Sequence, residues 1–257
     1  MINSELEIEF LGTGTSTGVP SIGCHCKVCQ SKDWKDKRLR ASAIVRHKGM
    51  NILIDCGPDF RQQILRASSD TPDALLLTHI HYDHVAGIDD LRPYSFMRTF
   101  PIYAREEVNR QLHTNMPYCF TKHPYPGVPR LKLVDIDTQP FMVGNVEVTP
   151  IPVMHDKLLI NGYRIGPLAY ITDCSYISPE EIEKLKGIPL LVINALRHRP
   201  HHSHMTVEQA LEAVKQIGPR KGYFTHMCHG IGLHYQAEAL LPPNVHFAYD
   251  TLIVRTE

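Results

Sequence analysis

Short stretches in which apolar and polar positions alternate recur along the chain, interleaved with segments of helical spacing. Leu6–Leu11 alternates and ends in Gly12, the pattern of a strand running into a tight turn. Ser42–His47 and Asn51–Asp55 flank Lys48-Gly49-Met50, a hairpin signal. Asp59–Ser69 follows Pro58 and sets Phe60, Ile64 and Leu65 at helical spacing. Ala74–Thr78 begins as a continuous apolar run, as expected of a strand covered on both faces. Val146–Val153, Leu168–Thr172, Leu190–Asn194, Gly222–Thr225 and Val245–Tyr249 read as further strands. Ser178-Pro179-Glu180-Glu181 and Thr206-Val207-Glu208-Gln209 carry capping-box pairs. The second opens a helix with Ala210, Leu211, Val214 and Ile217 on one face and Gly218-Pro219 as its stop. Pro117–Pro129, with four Pro and three aromatic residues, reads as a long irregular loop, either a lid or a contact with a neighbouring chain. Neither a linker nor a repeat interrupts the chain. The pattern predicts one domain over residues 1–257, with two sheets covered by helices rather than a doubly wound nucleotide fold.

Of the 257 residues, 43% are apolar and 21% charged, a globular composition that argues against disorder. Lys plus Arg and Asp plus Glu are 27 each, so the chain lacks the basic excess of a general polyanion binder, and nucleic acid is not the expected partner. No apolar run approaches the ~18 residues of a membrane span. Met1–Gly12 has neither a basic start nor an apolar signal core, so the expected address is the cytoplasm. Seven Cys include three (Cys24, Cys26, Cys29) within six positions, and in a reducing compartment such a cluster points to metal rather than disulfides. Cys56, Cys119 and Cys174 read as small packing residues. Sixteen His against a single Trp invite a search for ligand spacing.

Such spacing occurs in Thr78-His79-Ile80-His81-Tyr82-Asp83-His84, where the chain leaves a predicted buried strand. Three imidazoles and a carboxylate within six residues suit borderline or hard divalent ions. His155, Asp173 and His226 each stand at a predicted strand terminus, a placement by which scattered residues converge on one sheet edge.

This set resembles that of the metallo-β-lactamase-fold hydrolases, and the likeness extends over nearly the whole chain. It implies an α/β fold, an αββα sandwich of two mixed sheets flanked by helices, with two metals at one edge. His79, His81 and His155 would hold one metal, Asp83, His84 and His226 the other, and Asp173 would bridge them. Two divalent ions ~3.5–4 Å apart share a water and bring its pKa towards ~7, and the ions polarise the oxygen under attack. Zinc or manganese suits such a pair. Asp83 and Asp173 lower the net charge of the pair and so take part in catalysis. Asp55 reads as a carboxylate orienting a ligand His rather than a ligand itself.

The N-terminal cluster supplies three thiolates, and His229, three residues after His226, is the natural fourth ligand, with Cys228 as an alternative. A site so closed is a structural zinc site, tying the N-terminal loop to the segment that presents His226. With this second site the chain is similar to the PhnP-type phosphodiesterases of the carbon–phosphorus lyase pathway, which open five-membered cyclic phosphates of ribose. The related transfer-RNA 3′-end endonucleases share a further His, and His204 fits that position at the scissile phosphate, stabilising charge or protonating the leaving oxygen. His198, His201 and His202, with Arg197 and Arg199, form either a solvated basic loop or a phosphate-binding one. Gly12-Thr13-Gly14-Thr15-Ser16-Thr17-Gly18 lacks the spacing of a nucleotide loop and reads as the turn bordering the site.

The expected function is therefore metal-dependent hydrolysis of a small phosphate diester, 1,2-cyclic ribosyl or nucleotide-like, by a metal-bridged hydroxide. The expected partner is a small phosphate ester, without membrane association, and the chain is a candidate homodimer. The alternative is an RNA endonuclease of the transfer-RNA 3′-end processing type, disfavoured by zero net charge and by the lack of a Gly-rich, Lys-studded arm. The metal motif alone also admits a thioester hydrolase, a lactamase or a metal-stabilised binding protein.

Overall fold

Alternation in the first fifty residues produces an antiparallel meander of β1 (Glu7–Gly12), β2 (Ser42–His47) and β3 (Met50–Ile54). A computed structural model describes residues 5–68, 71–96, 98–121 and 125–256. Three strands then add in parallel, β4 (Ala74–Leu76), β5 (Phe100–Arg105) and β6 (Leu131–Ile136). The second sheet starts antiparallel, with β7 (Phe141–Val143), β8 (Val146–His155), β9 (Leu158–Ile165) and β10 (Leu168–Ile171). It continues in parallel through β11 (Leu190–Asn194), β12 (Lys221–Thr225) and β13 (Val245–Phe247). The last strand, β14 (Ile253–Arg255), returns to pair with β1. The strand orders are β14-β1-β2-β3-β4-β5-β6 and β13-β12-β11-β10-β9-β8-β7.

Each sheet buries two faces. Between them lie Ile8, Phe10, Val45 and Ile52 from one and Tyr163, Ile165, Tyr170 and Val192 from the other, all fully buried. Outside the first sheet pack α1 (Phe60–Arg66), two single turns, α2 (Tyr82–Val85) and α3 (Arg92–Ser95), and α4 (Glu106–Asn115). Outside the second pack α5 (Pro179–Leu185), α6 (Val207–Ile217) and α7 (His234–Glu238). The result is the expected αββα sandwich of two mixed sheets. Among the described residues no helix is long and apolar enough to cross a membrane.

Several boundaries differ from expectation, each for a local reason. Asp59–Ser69 is helical only over Phe60–Arg66, and Ser69 lies outside the described residues. The buried strand stops at Leu76, because the Thr78 N–H turns to Asp55 Oδ1 at 2.9 Å instead of to a neighbouring strand. Thr206 and Gln209 form the full reciprocal cap. Ser178 accepts from the Glu181 N–H, but the Glu181 carboxylate is taken by Lys184, so that box is half made. In β9 the alternation is broken at Gly162, where a Cβ would stand 2.9 Å from the Tyr170 carbonyl, so close strand packing hides the strand from the pattern. The Pro117–Pro129 loop opens with a 3-10 turn over Pro117–Phe120, and residues 122–124 lie outside the described residues.

Strand ends gather at one edge: Asp55 follows β3, His79 follows β4, His155 ends β8, Asp173 follows β10 and His226 follows β12. Asp55, Asp173 and His226 have φ of +58°, +57° and +57°, left-handed backbone that non-glycine residues adopt at a cost of about 1–3 kcal/mol each. The turn before α1 locks onto the turn carrying Asp83 and His84. Cys56 N–H donates to the His84 carbonyl and Gly87 N–H to the Cys56 carbonyl, both at 2.8 Å. A Cβ on Gly87 would stand 2.1 Å from the Gly57 carbonyl oxygen, although its backbone φ of −93° suits any residue. Gly87→Ala should therefore cost about 1–3 kcal/mol through overpacking. Urea unfolding checks this, and an unchanged midpoint would show that the two turns are not wedged together.

Candidate metal centre

His79 sits three positions past the end of the buried strand β4, and its ring is set by a relay from the end of the neighbouring strand. Thr78 Oγ1 donates to Asp55 (2.9 Å to Oδ2), so it accepts from His79 Nδ1 at 2.9 Å and leaves Nε2 with a free lone pair. That lone pair faces His81 Nδ1 at 2.9 Å. His155 is oriented in the same way, its Nδ1 donating to the Ser203 carbonyl at 2.8 Å. One ligand atom from each of His79, His81 and His155 lies within 4.8 Å of the others.

A second group combines Asp83, His84, Asp173 and His226, all buried. His84 Nδ1 donates to Asp55 Oδ2 at 2.7 Å, which makes Asp55 the orienting carboxylate. His84 Nε2 then stands 3.1 Å from Asp83 Oδ2 and 3.3 Å from Asp173 Oδ2 without a hydrogen-bonding partner. His226 Nε2, equally unpartnered, is 3.1 Å from Asp173 Oδ1 and 3.7 Å from Asp83 Oδ2. Ring centroids of His79 and His84 are 4.2 Å apart, so the two groups adjoin.

Electrostatics supports a cation here. Burial disfavours charge on His84, yet Asp173, Asp55 and Asp83 outweigh it and hold its pKa well above the ordinary imidazole value. Burial likewise opposes ionisation of Asp173, but His226 and His84 hold its carboxyl well below the usual range, and His84 does the same for Asp83. The carboxylates therefore stay ionised and favour positive charge beside them. His79, desolvated and beside His84, is pushed well below the ordinary value, which keeps it a neutral donor. Orphaned ring nitrogens, converging carboxylates and neutral imidazoles fit divalent ions of the borderline class.

His204 lies on the segment before α6, its ring 4.8 Å from that of His155 and 4.9 Å from that of His226. Its Nδ1 is buried, unpartnered and 3.8 Å from Asp173 Oδ1, and it joins His155 and Asp173 as a third grouping of ligand atoms. Burial, then repulsion from His226, lowers its pKa to about 3.

The N-terminal cluster also closes. Sγ of Cys24, Cys26 and Cys29 lie 3.3, 3.7 and 3.2 Å from His229 Nδ1. Zn–S bonds of ~2.3 Å and Zn–N bonds of ~2.0–2.1 Å in a tetrahedron give edges of about 3.5 Å, so the four atoms fit one ion. Cys228 instead turns its Sγ to the Gly230 N–H, outside this group. Cys56, Cys119 and Cys174 are buried and belong to none of these groups. The Gly12–Gly18 turn borders the site as read. Met227 N–H donates to the Thr13 carbonyl and Thr15 N–H to the Met227 carbonyl, next to His226.

Three supporting positions escape sequence reasoning. Ser203 acts through a backbone carbonyl, which no side chain advertises. Arg38 and Asp250 lie far apart in sequence and meet only around Thr13: Asp250 Oδ1 accepts the Thr13 N–H at 2.9 Å, and Arg38 donates to Thr13 Oγ1 at 2.8 Å. Arg38 is buried, which lowers its pKa to about 10 despite Asp250 and Asp36. Two common residue types more than two hundred positions apart carry no motif.

Residues 50–227 match the beta-lactamase superfamily domain. A protein of Porphyromonas gingivalis named octanoyltransferase is 49% identical over 246 residues, covering 95% of this chain and 50% of that protein. The chain thus spans about half the length of that curated relative. Among solved structures, a diphosphatase from the PhnP family is 36% identical with a TM-score of 0.92, covering 98% of this chain and 97% of its own. The short form of human tRNase Z is 18% identical with a TM-score of 0.69, covering 96% and 98%, a likeness of fold. The chain belongs to the beta-lactamase superfamily, as a PhnP-like hydrolase of the metallo-β-lactamase fold.

Proposed function

We propose that the chain is a metal-dependent phosphodiesterase for small phosphate diesters, ribosyl 1,2-cyclic or nucleotide-like, including the diphosphate linkage suggested by its PhnP-family relative. The observation that carries this reading is the pair of adjoining ligand groups with His204 beside both. His79, His81 and His155 would hold one ion, Asp83, His84 and His226 the other, with Asp173 between them. Divalent ions bound there supply Lewis-acid polarisation of a phosphoryl oxygen and acidify water to a pKa of ~7. The residues do the rest. Asp55, Thr78 and Ser203 keep three imidazoles in the tautomer that presents Nε2. Burial and His226 disfavour charge on His204, an anionic phosphate beside it would favour the protonated ring, and from that form it would pass a proton to the leaving oxygen. Cys24, Cys26, Cys29 and His229 would hold a zinc ion closed to substrate, a structural role.

Zinc- or manganese-loaded protein should hydrolyse bis(p-nitrophenyl) phosphate and ribose cyclic phosphates, and chelation should abolish turnover. Turnover no greater than that of His81→Ala would refute the assignment. Faster cleavage of an octanoyl thioester would replace it with acyl chemistry, and specific cutting of a precursor transfer RNA would favour the endonuclease reading. His204→Ala should lower kcat by about 10²–10⁴ with metal content intact; an unchanged kcat would remove His204 from the reaction. Cys29→Ser should release about one zinc per chain and lower the melting temperature. Retention of the full metal content by this variant would exclude a closed thiolate site.

A further inference from the structure

The loop between β11 and α6 is held from both sides. At its start the Arg197 guanidinium donates from Nε and NH2 to the carbonyls of Arg199 and Pro200, at 3.2 and 3.3 Å, folding the loop on itself. At its end one residue fixes two rings. The Ser203 carbonyl accepts from His155 Nδ1 at 2.8 Å, and the Ser203 N–H donates to His201 Nδ1 at 3.3 Å, with Oγ at 3.1 Å. Because that N–H can only donate, His201 Nδ1 is an acceptor, and the neutral ring carries its proton on Nε2. The His201 ring stacks on His204 at 5.0 Å and 28°, and His202 lies 4.5 Å beyond. Imidazoles thus step outward from the ligand groups to solvent, with His201 one ring beyond the group that meets the leaving oxygen.

The same segment brings Arg197, His198 and Arg199; Glu208 is taken by His198 at 2.7 Å and Asp173 stands 3.8 Å from His204, so among the described residues neither of these carboxylates is spent on His201. A fixed N–H donor in a region of donors and positive charge matches an anionic acceptor. We propose that His201 is a substrate-positioning residue whose Nε2–H donates to a second phosphoryl group on the leaving side, so that the preferred substrate carries a diphosphate linkage. This rests on the phosphodiesterase reading. In the reaction the oxygen of water bonds to one phosphorus and the bridging P–O bond breaks. The electron pair leaves with the bridging oxygen, His204 supplies its proton, and the proton lost by water restores His204. Two phosphate monoesters result.

Steady-state kinetics of the metal-loaded enzyme on a dinucleoside diphosphate and on bis(p-nitrophenyl) phosphate test this with two positional variants. His201→Asn keeps an amide near the Ser203 N–H but lacks the outer donor, whereas His201→Gln places an amide N–H near the Nε2 position. Loss of one hydrogen bond to a charged group corresponds to about a 10- to 100-fold change. His201→Asn should raise KM for the diphosphate by that factor relative to its effect on bis(p-nitrophenyl) phosphate, with kcat changing far less. His201→Gln should recover most of the loss. Equal effects on both substrates, no effect, or Gln as harmful as Asn would overturn the proposal and leave the ring a prop for His204. If His201→Asn does not fold, His201→Phe takes its place, keeping a ring without the donor. Wild-type enzyme that cleaves only bis(p-nitrophenyl) phosphate would defeat this inference alone; failure on both substrates would defeat the phosphodiesterase reading beneath it.

Discussion

Three carboxylates, Asp55, Asp83 and Asp173, are buried at one sheet edge without a Lys or Arg among their ion-pair partners, and the local architecture follows from their compensation. An uncompensated buried carboxylate costs several kcal/mol. Asp55 is satisfied by Thr78 and by His84. Asp83 and Asp173 face mainly imidazole nitrogens that lack hydrogen-bonding partners, a pairing that becomes favourable when cations stand between them. The same requirement explains the backbone. Left-handed residues at Asp55, Asp173 and His226 would be a poor choice for a sheet edge built for stability, and they persist where surrounding contacts over-determine them.

How much of this the sequence carries depends on whether a feature is local. The run from His79 to His84 is legible because its candidate ligands follow one strand end together, and the Cys24–Cys29 cluster because thiols seldom crowd by chance. His155, Asp173 and His226 are legible as strand-terminal residues, although their convergence needs two sheets whose orders no local pattern states. Strands β5, β6, β7, β9 and β14 escape the pattern, β9 because it carries Gly162 in a close strand approach. The buried strand ends two residues early for a reason invisible in composition, since Thr78 surrenders its ladder bond to orient His79 through Asp55.

The loop that carries Ser203 shows why first-order ligand counting is incomplete. Ser203 bonds a ligand-group imidazole through its carbonyl and a mouth imidazole through its N–H. Any shift of Ser203 moves both rings, so the candidate ligand group and the rim of the site are mechanically coupled.

His226 is the exception that gives the N-terminal cluster its meaning. His79, His84 and His155 each have Nδ1 held by a partner, which sets the direction of Nε2. His226 Nδ1 is buried and has none. Its direction must come from the backbone on which it is mounted, and that backbone is held at successive positions. Met227 exchanges hydrogen bonds with Thr13 and Thr15, Cys228 N–H donates to the Leu196 carbonyl, and His229 stands among the three thiols. A cross-link three residues from a ligand would be superfluous if the ring had its own partner. Where it has none, closing Cys24, Cys26, Cys29 and His229 around one ion would fix the segment that aims His226, doing by metal–ligand geometry what a single hydrogen bond does for the other imidazoles.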